Sequence, residues 1–313
     1  MNPLLDVKAL NVTFLTTGGP ARAVEDVTFG IYPDETLALI GETGCGKSMT
    51  AHSLLGLAPS GANVSGQILF RGRDILSASE REKAEIRRRE IALILQNPRM
   101  ALNPVYPVRR TLLRSFRSGR EIRRKKAVDG VLQALSTFGF ENPGAVIDLY
   151  PHQLSGGMAQ RILTAAAEFR DPSILIADEP TKGLDAELAE YVLGTLMAAA
   201  KSRKTSILLI THDLQAARRT SDRVAVMYAG QIVETSPAED FFALPLHPYS
   251  RLLLGSLPEN GFQPIKGMPP SLTDVPCGCR FHPRCPSAKE ACRESTPRIK
   301  RVGEKEVRCI LFS

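Results

Sequence analysis

Thr36-Leu-Ala-Leu-Ile40 runs directly into Gly41-Glu-Thr-Gly-Cys-Gly-Lys-Ser48, and that into Met49-Thr-Ala-His-Ser-Leu-Leu-Gly-Leu57. The first segment is a short apolar run of buried-strand type, and the last carries apolar residues at helical spacing. Between them stands G-x-x-x-x-G-K-S, a phosphate-binding loop. Its glycines let successive backbone N–H groups turn inward around phosphate oxygens, which then sit on the positive end of the following helix. Gly41, Glu42, Gly44, Cys45, Gly46, Lys47, Ser48 and Met49 are therefore candidate nucleotide contacts. Lys47 is expected to reach the β- and γ-phosphates and Ser48 to ligate Mg²⁺. Cys45, near a helix N-terminus and a lysine, is expected to carry some thiolate character.

A second apolar run, Ile174-Leu-Ile-Ala177, delivers Asp178 and Glu179 at its C-terminal end, where open α/β sheets place their ligands. Asp178 is expected to hold Mg²⁺, directly or through water, and Glu179 to act as the general base on an attacking water. An Asp-Glu pair after an apolar run can also be an ordinary helix cap. Pro180 and the loop Thr181-Lys-Gly-Leu-Asp185 argue against a helix starting there.

The third motif is Leu154-Ser-Gly-Gly-Met158, where a Ser hydroxyl and the N–H groups of a helix start make a second anion site. With the other two motifs, in this order and spacing, the chain resembles the ATP-binding subunits of ABC transporters. Their signature is usually L-S-G-G-Q, and Met158 departs from it at the last position. The resemblance implies that Ser155, Gly156 and Gly157 serve the γ-phosphate bound to a partner subunit. It implies that Gln96, after Ile91-Ala-Leu-Ile-Leu95, touches Mg²⁺ and the attacking water and connects to membrane subunits. His212, after Thr205-Ser-Ile-Leu-Leu-Ile210-Thr211, is similar to the switch histidine on the γ-phosphate, Asp185 to the aspartate that couples two ATP sites, and Phe14 to the ring under the adenine. Taken singly, a Gln, His or Phe near an apolar run is more often a core or loop residue. Their order within the frame is what selects the functional reading. The fold implied is α/β: a P-loop NTPase (RecA-like) core with an antiparallel β subdomain, an inserted helical subdomain over about 97–165 and a small Cys/Pro-rich C-terminal extension.

Length and composition agree with one ATPase domain, residues 1–235, plus an appendage, 236–313. No apolar run approaches the roughly 18 residues needed to span a bilayer, and Met1-Asn-Pro-Leu-Leu-Asp6 has no signal-peptide pattern. The expectation is a soluble chain, peripheral at the cytoplasmic face of the cell membrane. The net charge of +7 is concentrated in Arg109, Arg110, Arg114, Arg117, Arg120, Arg123, Arg124, Lys125 and Lys126, around the single acid Glu121. Such a run reads first as a solvated helical face, and secondly as a contact for anionic lipid headgroups. Local patterns add a strand at Gly66–Arg71, a capping box at Ser79-Glu-Arg-Glu82, helical spacing of Val128, Val131, Leu132 and Leu135, and a hairpin, Arg223–Tyr228 and Gln231–Glu234, across Ala229-Gly230.

Past residue 236, His247-Pro-Tyr-Ser-Arg-Leu-Leu-Leu-Gly-Ser-Leu-Pro258, Ile265-Lys-Gly-Met-Pro-Pro270 and Gly278-Cys-Arg-Phe-His-Pro-Arg-Cys-Pro286 are similar to the C-terminal extension of oligopeptide, dipeptide and nickel importer ATPases. Asn97-Pro98 and Leu102-Asn-Pro104 resemble the same branch. The implied function is to power uptake of peptides, nickel or nickel chelates. The implied partners are two membrane permease subunits, a second ATPase subunit (a paralogue or a second copy) and an extracytoplasmic substrate-binding protein, with no nucleic acid expected. The other classes are an ABC-type ATPase acting on nucleic acid or ribosomes, and the ATPase of an exporter. The first usually has two fused ATPase domains or a long insertion, whereas only residues 97–153 lie between Gln96 and Leu154; the second is usually fused to membrane helices.

Cys277, Cys279, Cys285, Cys292 and Cys309 crowd the last 37 residues of a chain whose only other cysteine is Cys45. Clustered cysteines in a cytosolic protein are more often metal ligands than disulfides. The C-x5-C-x6-C-x16-C spacing of Cys279, Cys285, Cys292 and Cys309 lacks the short knuckles of structural zinc. Four thiolates can hold a [4Fe–4S] cluster, and the resemblance to importer ATPases favours that reading over zinc or free thiols. Cys277 falls outside the set.

Overall fold

The structure, a computed structural model, describes residues 2–117 and 124–312; Arg120, Glu121 and Arg123 of the basic stretch lie outside them. The described chain is a mixed α/β protein that divides into two compact units, residues 1–78 with 209–313, and residues 79–208.

The first unit opens with two long strands, β1 (Leu5–Thr16) and β2 (Gly19–Ile31), paired antiparallel from Leu5↔Ile31 to Thr16↔Gly19. After β3 (Thr36–Ile40), α1 (Lys47–Leu54), β4 (Ala62–Phe70) and β5 (Arg73–Asp74), a four-stranded antiparallel sheet is complete in the order β2-β1-β4-β5. β4 is longer than Gly66–Arg71 because Asn11 to Phe14 of β1 pair with its polar first half. The helix after the phosphate loop ends at Leu54, short of the expected Leu57.

The second unit begins with α2 (Glu80–Arg89), whose capping box forms as expected. The Glu82 N–H donates to Ser79 Oγ at 3.3 Å and the Ser79 N–H to Glu82 Oε2 at 2.9 Å. β6 (Ile91–Ile94) leads into helices α3 (Pro98–Ala101), α4 (Val108–Arg117), α5 (Arg124–Thr137), α6 (Pro143–Val146) and α7 (Gly156–Glu168). β7 (Ile174–Asp178) returns parallel to β6, with Ile91 opposite Ile174 and Ile94 opposite Ala177. Every residue of β7 is buried, as a parallel strand covered on both faces requires. The long helix α8 (Ala186–Arg203) follows.

The buried strand β8 (Ser206–Thr211) carries the chain back into the first unit. There α9 (Leu214–Thr220), β9 (Arg223–Tyr228) and β10 (Gln231–Pro237) follow. β9 lies parallel to β3 and forms the expected hairpin with β10, the turn residues Ala229 and Gly230 having φ of 43° and 86°. Two positive φ values are what a tight hairpin turn needs. The remainder, α10 (Ala238–Ala243), α11 (Pro248–Gly255), α12 (Ala291–Glu294), β11 (Lys300–Val302) and β12 (Lys305–Val307), packs within this same unit. β12 extends the sheet beyond β10, giving the order β11-β12-β10-β9-β3.

Phe281, Tyr249 and Phe241 of this last region are fully buried with Ala38, Ile40, Val224, Val226 and Tyr228 in one core. The Tyr228, Tyr249 and Phe281 rings lie 4.7–5.3 Å apart, centre to centre. At about 1.5–3 kcal/mol per fully buried large side chain, residues 236–313 are fastened to the strand framework behind the phosphate loop.

Candidate functional site

The phosphate loop joins β3 to α1, with Gly46 in the N-cap position at φ 110°. Two of its glycines are required by close approach as well as by positive φ. A Cβ on Gly41 would stand 2.1 Å from the Met227 carbonyl oxygen, and one on Gly46 2.3 Å from that of Ala23. Gly44 has open space around it. The buried Lys47 ammonium donates to the carbonyls of Gly41 at 2.7 Å and Glu42 at 2.9 Å, which curls the loop about its own lysine. Ser48 and Met49, in the first turn of α1, are partly buried.

Cys45 departs from expectation. Its thiol lies 3.7 Å from Lys47 Nζ, yet burial pushes its pKa up, and the lysine only partly offsets this. At 5% exposure the thiol is desolvated and the thiolate disfavoured.

Glu42 is held on three sides. Its N–H donates to Tyr249 Oη at 3.0 Å, its carbonyl accepts from Lys47, and its carboxylate receives a paired contact from Arg284, with Nη1 to Oε2 at 2.8 Å and Nη2 to Oε1 at 3.0 Å. Arg284 also donates to Tyr228 Oη at 3.3 Å. Burial opposes the guanidinium charge, but the bonds to Glu42 and Tyr228 outweigh it and raise its pKa. Sequence reading placed Glu42 among the nucleotide contacts and gave Arg284 and Tyr249 no role. The pair is 242 residues apart, and nothing local announces it.

His212 and Phe14 belong to the same unit as the loop. His212 follows β8 and is exposed; Asp213 caps α9 beside it, accepting from the Gln215 and Ala216 N–H groups. Phe14 stands on β1, half-buried, opposite Ala21 and Ala62.

The second unit holds Gln96, Ser155–Gly157, Asp178, Glu179 and Asp185. Gln96 is exposed two residues past β6. Ser155 is the N-cap of α7, its Oγ accepting the Met158 N–H at 3.1 Å, so that the exposed Ser155 and Gly156 stand at the positive end of a 13-residue helix. A Cβ on Gly157 would lie 3.0 Å from Leu184. Asp178 ends β7 at 2% exposure. Glu179, 6% exposed, has φ 51°, a left-handed conformation that a glutamate adopts only when its surroundings impose it. Asp185 is the N-cap of α8, accepting from Leu188 N at 2.9 Å.

In the C-terminal region the thiols of Cys292, Cys309 and Cys285 lie near enough to Cys279 to add to the effect of burial, which pushes its pKa up to about 11. The Cys285 and Cys309 thiols are raised in the same way. All six cysteines are free, and Cys277 is exposed. Among the described residues no three His, Cys, Asp or Glu side chains stand in a metal-holding group.

Residues 24–182 match the ABC transporter family, and residues 233–292 the oligopeptide/dipeptide transporter C-terminal region. The chain is 42% identical to the dipeptide transport ATP-binding protein DppD of Bacillus subtilis over 95% of its own length and 91% of the relative's. It is 38% identical to the oligopeptide transport ATP-binding protein AppD of the same organism, over 100% and 98% of the two chains. Among solved structures, a dimeric ATP-binding cassette in a post-hydrolysis state bound to ADP and phosphate shares the fold, with a TM-score of 0.69 at 22% identity over 75% of this chain and 98% of that one. The chain therefore belongs to the ATP-binding subunits of ABC transporters, in the oligopeptide/dipeptide branch, whose ATP hydrolysis is coupled to transport.

Proposed function

We propose that this chain powers import of peptides through two membrane permease subunits. The observation that carries this reading is the joint match: the cassette over residues 24–182, the peptide-transporter region over 233–292, and 42% identity to a dipeptide transport ATP-binding protein along nearly the whole chain. Nickel or nickel chelates are the other cargo of the wider branch. No helix among the described residues is long and apolar enough to cross a membrane; in this reading the permeases hold the chain at the inner membrane. An extracytoplasmic binding protein delivers the cargo.

The residues suit the chemistry. The loop of residues 41–48 is the anion cradle, and the close approach of Gly41 to the Met227 carbonyl and of Gly46 to the Ala23 carbonyl packs it against the strands behind it. Lys47 binds the β- and γ-phosphates, and Phe14 supports the base. Ser48, Gln96 and Asp178 offer the oxygen donors that suit Mg²⁺, which when bound neutralises phosphate charge. Glu179 takes the proton of the attacking water, Gln96 orients that water, and His212 contacts the γ-phosphate. Ser155, Gly156 and Gly157 serve the nucleotide of a second ATPase subunit, and Asp185 couples the two sites.

For the C-terminal thiols we propose a [4Fe–4S] site on Cys279, Cys285, Cys292 and Cys309, supported by the mutual approach of these four. Zinc stands second, since the C-x5-C-x6-C-x16-C spacing lacks the short knuckles of structural zinc.

The test of the import reading is uptake of a labelled dipeptide in cells lacking this chain. The parent restores uptake, Lys47→Ala does not, and the affinity-tagged chain brings permeases down with it. Copurification with RNA or DNA and no permease would overturn the reading.

A further inference from the structure

The phosphate loop contains a carboxylate where its ligand carries several negative charges. Left uncompensated, Glu42 would repel the phosphates that the loop exists to hold. The compensation comes from the far end of the chain. Arg284 meets both carboxylate oxygens of Glu42, at 2.8 and 3.0 Å, and its side chain is only 6% exposed. A paired guanidinium–carboxylate contact fixes direction as well as charge.

The region around Arg284 is built to hold it there. Phe281, three residues earlier, is buried in the core against Tyr228 and Tyr249. Arg280 pairs with Glu25 at 2.7 Å and donates to the Ala229 carbonyl in the β9–β10 turn. The next residue of that turn, Gly230, donates its N–H to the Cys45 carbonyl of the phosphate loop at 2.8 Å. Tyr249, also from the C-terminal region, takes the Glu42 N–H. The C-terminal region thus touches both arms of the loop, Glu42 directly and Cys45 through one turn.

We propose that Arg284 is a positioning residue for nucleotide binding: by neutralising and holding Glu42 it keeps the phosphate loop in its anion-accepting shape, which makes the C-terminal region a working part of the ATP site. The inference rests on the assignment of the loop to nucleotide and is independent of what is transported.

The test is the MgATP dissociation constant of the purified full chain, by calorimetry or displacement of a fluorescent ATP analogue. Arg284→Ala strands the carboxylate and is expected to weaken MgATP by roughly tenfold or more, about 1.4 kcal/mol for each factor of ten. Removing the stranded charge should then repair binding: Arg284→Ala with Glu42→Gln is expected within about threefold of the parent. A purely structural role for Arg284 gives the opposite pattern, with the double variant as weak as the single one. Parent-like affinity in Arg284→Ala, or no repair in the double variant, overturns the proposal. If Arg284→Ala does not fold, Arg284→Gln keeps the volume without the charge and is read by the same comparison. A parent chain that itself fails to bind MgATP would instead overturn the assignment of the loop.

Discussion

Glu179 pairs a carboxylate with a strained backbone. A non-glycine residue held at φ 51° costs on the order of 1–3 kcal/mol, so the turn after β7 holds this residue at some cost in stability. Glutamine keeps the shape and loses the base. Glu179→Gln is expected to bind MgATP as the parent does while hydrolysis falls by about 10² or more, read as single-turnover phosphate release beside a binding isotherm. Release near the parent rate would remove Glu179 from the role of base. The place of Glu179 just past a buried strand was legible in sequence, because the apolar run Ile174-Leu-Ile-Ala177 sets where β7 ends. Cys45 and Arg284 were not. The first sits in a recognisable loop, but its ionisation depends on burial, which composition does not reveal. The second depends on a partner 242 positions away, a distance over which a single sequence carries no signal.

Elements were readable where their ends carry side-chain chemistry. The capping box at Ser79 and the Ala229-Gly230 turn formed where expected, because a cap or a positive-φ turn is decided within four residues. β4 grew beyond its pattern because pairing with β1, not its own alternation, sets its length. The start of α11 shows what local patterns omit. His247 caps this helix, its Nδ1 accepting the Tyr249 N–H at 3.0 Å, and is 1% exposed. Glu234, itself buried, accepts the Leu246 and His247 N–H groups, both at 2.8 Å. Burial lowers the His247 pKa to about 3; a hydrogen bond to the Arg308 backbone opposes this and the Arg251 charge adds to it. Between its ordinary 6.5 and about 3, the unfolded chain takes up a proton that the folded chain refuses. Stability contributed here is therefore complete above pH 6.5 and is lost as pH falls, at up to about 1.4 kcal/mol per unit. His247→Asn, which can cap but does not titrate, is expected to lose about 2 kcal/mol less than the parent between pH 7.5 and 5, measured by denaturant midpoints. Parallel pH curves for the two would show that the imidazole is protonated within the fold.

At the scale of the molecule, the residues proposed to act on ATP fall in two compact units. The phosphate loop, Phe14, His212 and the C-terminal region belong to one, and Gln96, Ser155–Gly157, Asp178, Glu179 and Asp185 to the other. The three motifs announced an α/β fold in sequence, since each is a strand end or helix start with a fixed place in such a fold; the expected domains, 1–235 and 236–313, are not the division into these two units. The attachment of residues 236–313 to the first unit was not announced, because it rests on buried aromatic contacts and arginine pairs that have no local pattern. On the proposed roles, one chain carries both the phosphate loop and, at the exposed start of α7, the group that meets a partner's nucleotide, so two copies would supply both faces of an ATP sandwich. Glu179→Gln, which cannot discharge the nucleotide, is expected to sediment as a dimer with MgATP and as a monomer without it. Gly156 offers a clean way to break that dimer. A Cβ there meets nothing within 4 Å, and the residue is exposed. An aspartate in the first turn of a helix is locally favourable, by roughly 0.3–1 kcal/mol, yet it opposes a phosphate arriving from a partner. Gly156→Asp in the Glu179→Gln background should therefore leave folding and MgATP affinity intact while the protein stays monomeric. A dimer that persists in the double variant would exclude Ser155–Gly157 from the partner's nucleotide site. A Glu179→Gln chain that stays monomeric at saturating MgATP would show that the second face comes from a different ATPase subunit.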